Sequence, residues 1–190
     1  MKHAIREKIR KRRQAHSLEE RRRKSELIMQ RLFSLPEFKH AKTILMYISY
    51  EEEVQTHEMI ERAVALGKRV VVPITDTETG ELKLSLLKNM RELRKGAHGI
   101  YEPMHIHQVS PEEIELAVVP GVAFDIEGTR LGHGHGYFDK LLKKIKAPFI
   151  GLAFEFQVVF RIPREEHDVP VDKIITEKRI LDVRSSHTNL

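Results

Sequence analysis

The chain has 190 residues, with 33 Lys and Arg against 28 Asp and Glu, a net charge of +5 and no cysteine. That length suits one domain, residues 1–190, with a sizeable core. The missing thiols exclude disulfides, a cysteine nucleophile and thiolate metal sites. No apolar run approaches the roughly 18 residues needed to cross a membrane. The basic N-terminal segment lacks the apolar stretch of a secretion signal, so a cytoplasmic location is expected.

Taken in chain order, residues 2–14 read as a helix. Ser17-Leu-Glu-Glu20 has capping-box form, with hydroxyl and carboxylate each taking the other's free amide. It predicts a second helix from about Leu18 to Phe33, stopping before Pro36. Thr43 to Ser49 reads as a buried strand. A third helix runs from about His57 to Leu66 and is ended by Gly67. Arg69 to Pro73 is the next strand, Asp76 to Gly80 a turn and Leu82 to Leu86 another strand. Residues 88–115 read as irregular. Leu116 to Val119, Pro148 to Phe154 and Lys173 to Thr176 complete the strands. Continuous apolar runs alternating with helices imply a mostly parallel sheet covered on both faces. In such sheets ligands lie beyond the carboxyl ends of the strands.

The excess charge is uneven. Lys8-Ile-Arg-Lys-Arg-Arg13 and Arg21-Arg-Arg-Lys24 hold much of it. Such clusters suit nucleic acid, a solvated helix face paired with Glu19, Glu20 and Glu26, or an anionic small ligand.

The most informative segment follows the strand at Leu116. Gly132, Gly134 and Gly136 alternate, and Phe138, Leu141, Leu142 and Ile145 then recur at helical spacing. Strand, glycine loop and helix together cradle phosphate with backbone amides and the positive helix end. Arg130 and Lys140 flank the loop. It is neither the Walker pattern nor the dinucleotide fingerprint. The competing reading is a plain connecting turn.

These segments resemble the 5-formyltetrahydrofolate cyclo-ligase family. Its most specific stretch is Pro-Gly-x-x-Phe-Asp-x-x-Gly-x-Arg-Leu-Gly-x-Gly-x-Gly-Tyr-Tyr-Asp. Here Pro120, Gly121, Phe124, Asp125, Gly128, Arg130, Leu131, Gly132, Gly134, Gly136, Tyr137 and Asp139 match, and Phe138 replaces the second tyrosine. Lys2 and Arg6, Tyr47-Ile-Ser with Glu53, and His167-Asp168 ahead of Val171-Asp172-Lys-Ile extend the match along nearly the whole chain.

The resemblance implies a three-layer α/β, Rossmann-like sandwich. It also implies ATP-dependent conversion of 5-formyltetrahydrofolate to 5,10-methenyltetrahydrofolate, with Mg²⁺ required. ATP would phosphorylate the formyl oxygen, and ring closure by N10 would release phosphate beside ADP. The resemblance assigns Lys2, His3, Ala4, Ile5 and Arg6 to ATP. Arg130, Leu131, Gly132, His133, Gly134, His135, Gly136, Tyr137 and Phe138 join them. It assigns Ile48, Glu53 and the His133–Tyr137 stretch to the folate, and Asp139 and Asp168 to the metal. Arg130 and Tyr137 are the expected catalytic residues.

Each has an ordinary alternative: a surface ion pair for Arg130, a solvated basic face for Lys2 and Arg6, helix-terminal charge for Asp139. Glu53 sits in a run of three glutamates that usually faces water. His133 and His135 alternate as a transition-metal pair would, although a donor role toward phosphate or substrate fits His135 better. Asp172 lies close to Asp168 and is expected in a turn or strand-end role. The expected partners are small molecules, with no membrane or nucleic acid, and the chain is expected to act as a monomer. Two further readings are a nucleic-acid binder and a sugar-phosphate isomerase-like or acyl-transfer enzyme on a related scaffold.

Overall fold

In the computed structural model, residues 1–96 and 99–183 are described; residues 184–190, part of the expected single domain, lie outside them. Helix α1 covers Lys2–Gln14 and α2 covers Leu18–Ser34. Ser17 Oγ accepts from Glu20 N at 3.1 Å, which is half of the expected capping box. The Glu20 carboxylate instead lies 3.8 Å from His16 Nε2. Pro36 does stop α2, and it also opens α3, Pro36–His40, since its fixed φ suits a first helical position.

Strand β1 is Thr43–Met46; Tyr47 and Ile48 beyond it stay buried but leave the ladder. Helix α4, His57–Ala65, ends at Gly67, where φ is +84°. The Gly67 and Lys68 amides close back on the Val64 and Ala63 carbonyls at 2.9 and 3.1 Å. Strands β2 (Arg69–Thr75) and β3 (Leu82–Leu87) form a hairpin. The stretch read as irregular carries a second hairpin, β4 (Leu93–Lys95) with β5 (Tyr101–Pro103).

After β6, Leu116–Val119, the chain does not pass straight into the glycine loop. It first makes β7, Ala123–Asp125, and β8, Arg130–Leu131. Helix α5, Tyr137–Leu142, is shorter than the apolar stripe suggests. Strands β9 (Phe149–Leu152), β10 (Val158–Val159), β11 (Lys173–Ile175) and β12 (Ile180–Asp182) complete the chain.

The main sheet has the order β12-β11-β9-β6-β1-β2-β3. Pairing from β11 across to β2 is parallel, and the two edge strands are antiparallel. Alternate residues face opposite layers. Ile44, Met46, Val70, Leu116 and Val118 meet Ile28, Met29, Leu32, Met59 and Ile60 of α2 and α4. On the other face Leu45, Val71, Ala117 and Val119 meet Leu141 and Leu142 of α5 together with Phe124. The fold is the expected three-layer α/β sandwich with a Rossmann-like parallel centre. The chain leaves β1 for β2 on one side, whereas β6 lies on the other with β9 beyond it. The crevice beyond the carboxyl ends of β1 and β6 is therefore a topological switch point.

A three-stranded sheet, β10-β7-β8, stands beside the main one. Helix α1 docks on it through Ile9, which is buried with Val122, Ala123, Leu131 and Ile162. The tight turn between β7 and β8 is at Gly128, with φ +83°. A Cβ there would lie 2.4 Å from the Val171 carbonyl oxygen, whereas one on Gly67 would meet nothing within 4 Å. Gly67→Ala is expected to cost only the left-handed penalty of about 1–2 kcal/mol. Gly128→Ala must also displace a buried backbone and should cost clearly more. Urea unfolding of both variants tests this, and equal losses would mean that the hairpin yields.

Candidate active site

Asp125 organises the entrance to the site. It is fully buried, and its Oδ1 accepts from the Glu127 and Thr129 amides at 3.0 and 2.9 Å. Its Oδ2 accepts from the Ile162 amide at 2.8 Å. One carboxylate thus closes the β7–β8 turn and ties it to the later chain. A short strand of two residues, β8, has few ladder bonds of its own, so this tie fixes where Arg130 points.

Arg130 is 7 % exposed. Its Nη1 donates to the Pro120 carbonyl at 3.1 Å, and its Nη2 lies 3.5 Å from Asp139 Oδ1. The Phe138 ring faces the guanidinium at 5.5 Å. Asp139 Oδ1 also accepts from the Val169 amide at 3.3 Å, which brings the segment carrying Asp168 alongside. Burial draws the Arg130 pKa down, while Asp139 and then Asp168 push it back up. The ordinary alternative, a surface ion pair, does not describe this residue.

Helix α1 supplies further cations from one face, because residues four and seven apart share a side. Lys2 Nζ lies 3.2 Å from Glu165 Oε1 and 3.4 Å from Asp168 Oδ2. Arg6 Nε donates to the Gly132 carbonyl at 3.0 Å. Arg13 Nη2 donates to the Gly121 carbonyl at 3.3 Å. Arg13 was not among the residues the motifs single out. Its signal was present all the same, since Lys2, Arg6, Ile9 and Arg13 fall on one helical stripe and Ile9 marks the docked side.

The glycine loop itself is exposed. Gly134 and Gly136 have φ of +106° and +71°, a backbone only glycine takes easily. Exposed His133 is hemmed in by the loop. Lost hydration first, then the charges of Arg13, Arg130, His135 and Arg6, lower its pKa. His135 stacks on Tyr137 at 5.4 Å, and Tyr137 packs toward Gly80 in the β2–β3 turn. With only six residues, α5 contributes little dipole. The charges of Arg6, Arg13 and Arg130 act at the loop beside the start of this helix.

Across the switch point, beyond β1, Glu53 folds back so that its Oε1 accepts from the Tyr50 amide at 2.7 Å. The turn holds Glu51 at φ +49°, the one non-glycine with positive φ among the described residues. Arg21 Nη1 clamps the Glu51 carbonyl at 3.0 Å. Burial pushes the Glu53 carboxyl up to about 7; the Tyr50 amide and then Arg13 pull it down, and Glu51 raises it. Glu53 is thus unlike a solvated member of a charge run.

The structure brings Lys2, Arg6, Arg130, Gly132, Asp139 and Asp168 together. Leu131 is buried beneath the loop and Phe138 packs under Arg130. His3 and Ala4 lie on exposed positions of α1, and Ile5 is half-buried against the small sheet. Ile48 is 6 % exposed and belongs to the core beneath α2 and α4. Asp172 Oδ2 accepts from the Phe149 amide at 2.8 Å, at the amino end of β9 and away from the site. Among the described residues no group of three or more His, Asp or Glu forms a ready-made metal cage. Asp139 and Asp168, brought near each other by the Val169 amide, offer hard oxygen donors of the kind a Mg²⁺ takes alongside phosphate and water. Among the described residues no helix is long and apolar enough to cross a membrane.

The model of the 5-formyltetrahydrofolate cyclo-ligase family matches residues 1–177. The 5-formyltetrahydrofolate cyclo-ligase of Mus musculus is 30 % identical over 93 % of both chains. That of Escherichia coli is 30 % identical over 90 % of this chain and 98 % of its own. Among solved structures, 5,10-methenyltetrahydrofolate synthetase from Aquifex aeolicus superposes with a TM-score of 0.87 at 40 % identity. That match covers 96 % of this chain and 93 % of the other. The Mycoplasma pneumoniae synthetase gives a TM-score of 0.75 at 27 % identity, over 93 % and 98 %.

Glu53 carries a stability consequence. Its folded pKa lies above its unfolded value, so its contribution is lost as pH rises from about 4.5 through about 7. Glu53→Gln keeps the acceptor for Tyr50 but no longer ionises. It should raise the melting temperature at pH 8 by the equivalent of on the order of 2 kcal/mol. The gain should shrink as pH falls toward 5. A gain independent of pH would show that Glu53 is solvated.

Proposed function

The chain belongs to the 5-formyltetrahydrofolate cyclo-ligase family, and from that premise we propose that it converts 5-formyltetrahydrofolate to 5,10-methenyltetrahydrofolate with ATP as phosphoryl donor. The observation that carries this reading is buried Arg130. It is paired with Asp139 and flanked by Arg6 and Lys2 at an exposed glycine loop. Phosphoryl transfer asks the protein chiefly for positioning and charge neutralisation.

The chemistry starts from an unreactive amide-like formyl group. Its oxygen takes the γ-phosphoryl as the bond to ADP breaks, and ADP leaves with the electron pair. The formyl carbon is then electrophilic. N10 adds to it, loses its proton, and phosphate leaves with the C–O electron pair. The positive charge spreads over N5 and N10 of the new ring. Arg130 holds phosphoryl oxygens with a planar fork that stays charged. Arg6, whose Nε is occupied by Gly132, turns its remaining donors to the nucleotide. Glu53 accepts from the amino and ring N–H groups of the pterin. Tyr137, stacked with His135, offers a flat aromatic wall. Asp139 and Asp168 would hold Mg²⁺, which supplies charge neutralisation at the phosphates.

The direct test is an absorbance assay for methenyltetrahydrofolate with and without ATP and Mg²⁺. Product requiring both is expected, and no product under any condition sinks the reading. Asp139→Asn and Asp168→Asn should each reduce turnover by roughly a hundredfold. Asp172→Asn should lower stability and leave turnover nearly intact; equal turnover in all three would refute the metal assignment.

Arginine roles separate by kinetic constant. Arg130→Lys should keep folate binding yet lose most of kcat, and Arg130→Ala should lose about 3 kcal/mol of transition-state stabilisation. Arg6→Ala should raise KM for ATP, whereas Arg22→Ala should not. Near-normal kcat in Arg130→Ala would make that arginine purely structural.

A further inference from the structure

Arg13 is the cation of the docked α1 face that the reading above leaves without a task. Its Nη2 donates to the Gly121 carbonyl at 3.3 Å, which also accepts from Gln157 Nε2 at 3.0 Å. The preceding carbonyl, Pro120, accepts from Arg130 Nη1 at 3.1 Å. Two guanidiniums therefore end on consecutive peptide groups at the carboxyl end of β6. Both keep a buried Nε with no hydrogen-bond partner. Among the described residues Arg130 has an ion pair with Asp139, and Arg13 has none at contact distance. Two neighbouring cations repel, and unpaired buried N–H groups are costly. The compensation such a pair calls for is an anion with several oxygens.

The position of Arg13 narrows which anion. Its charge is felt by Glu53 on one side and by His133 on the other. Along the docked face of α1, Lys2 reaches Asp168, Arg6 the Gly132 carbonyl and Arg13 the Gly121 carbonyl, so Arg13 is the cation of that row farthest along the helix from the Asp168 carboxylate. In the cyclo-ligase reading, on which this inference rests, that end of the row is where the formyl oxygen meets the γ-phosphoryl.

We propose that Arg13 is a second catalytic arginine, binding an oxygen of the phosphoryl group from the folate side while Arg130 binds it from the nucleotide side. In the transfer, the bond from phosphorus to the ADP oxygen breaks and the bond to the formyl oxygen forms. Negative charge meanwhile spreads over the three equatorial oxygens. Arg13 remains protonated throughout and exchanges no proton. A merely structural Arg13 would tie α1 to Gly121 and do nothing more.

The experiment uses the full chain with Arg13→Ala, Arg13→Lys and, as a comparison on the same helix, Arg12→Ala. Arg12 is exposed and stacks over Phe156 at 5.2 Å. Arg13→Ala should lower kcat roughly a hundredfold with KM for ATP little changed. Millimolar free guanidinium should restore part of the loss. ADP with aluminium fluoride and 5-formyltetrahydrofolate mimics the planar phosphoryl. Arg13→Ala should bind that mixture at least about tenfold more weakly, yet bind ADP alone as the unsubstituted chain does. Where Arg13→Ala fails to fold, Arg13→Lys decides. It keeps a donor for Gly121 but lacks the fork, so a large loss of kcat at unchanged melting temperature supports the proposal. An active chain whose Arg13 variants keep their kcat overturns this inference alone. So does a loss that follows melting temperature and resists guanidinium. An unsubstituted chain that makes no product overturns the cyclo-ligase reading and this inference with it.

Discussion

A guanidinium taken almost wholly out of water is the constraint around which this site is built. Burying a charge costs several kcal/mol unless partners are arranged for it. For Arg130 those partners are Asp139, the Pro120 carbonyl and the Phe138 ring. Meeting them fixes where α5 begins, because Asp139 must lie in its first turn. It also explains part of the glycine pattern. A Cβ on Gly132 would lie 3.2 Å from Arg130 Nη1, and one on Gly121 would meet the Phe124 ring at 2.7 Å. Those two glycines make room for protein atoms. Gly134, exposed, and Gly136, half-buried, stand apart with positive φ and no backbone close to where a Cβ would lie, and it is they that leave backbone open to a ligand.

Much of this was legible in the sequence where the physical signal was long. The buried parallel strands announced themselves as unbroken apolar runs, and α1, α2 and α4 by periodicity and end signals. What escaped was short. Strands β7, β8 and β10 span two or three residues, too few for any period, and they are held by Asp125 and Gln157 rather than by propensity. The α5 stripe misled in the other direction. Ile145 is buried as the stripe requires, yet the helix has already ended at Leu142 and a turn at 143–144 comes before it. Buried contact, not helical geometry, was what the spacing recorded.

The basic N-terminus shows how a charge cluster divides once it folds. Arg10 pairs with Glu7 at the surface, and Arg12 covers Phe156. Arg6 and Arg13 turn inward to the Gly132 and Gly121 carbonyls. Sequence order places all of them in one run, so composition alone suggested nucleic acid as readily as a small anion. Helical phase separates them. The apolar Ile9 in the middle of the run identifies the docked face, and the two inward arginines flank it at three and four residues.

The same crowding accounts for the perturbed groups on both sides of the crevice. Glu53 is pushed toward neutrality by lost hydration, and His133 is kept neutral by lost hydration and surrounding cations. Neither state favours the folded chain by itself. Apolar packing on both sheet faces and the Asp125 tie, which satisfies three backbone amides with one carboxylate, offset that cost. An incoming polyphosphate would relieve the repulsion among Arg6, Arg13 and Arg130. A donor-rich heterocycle would relieve Glu53. Because Arg13 is felt by both halves, neutralising it from one side changes the field at the other.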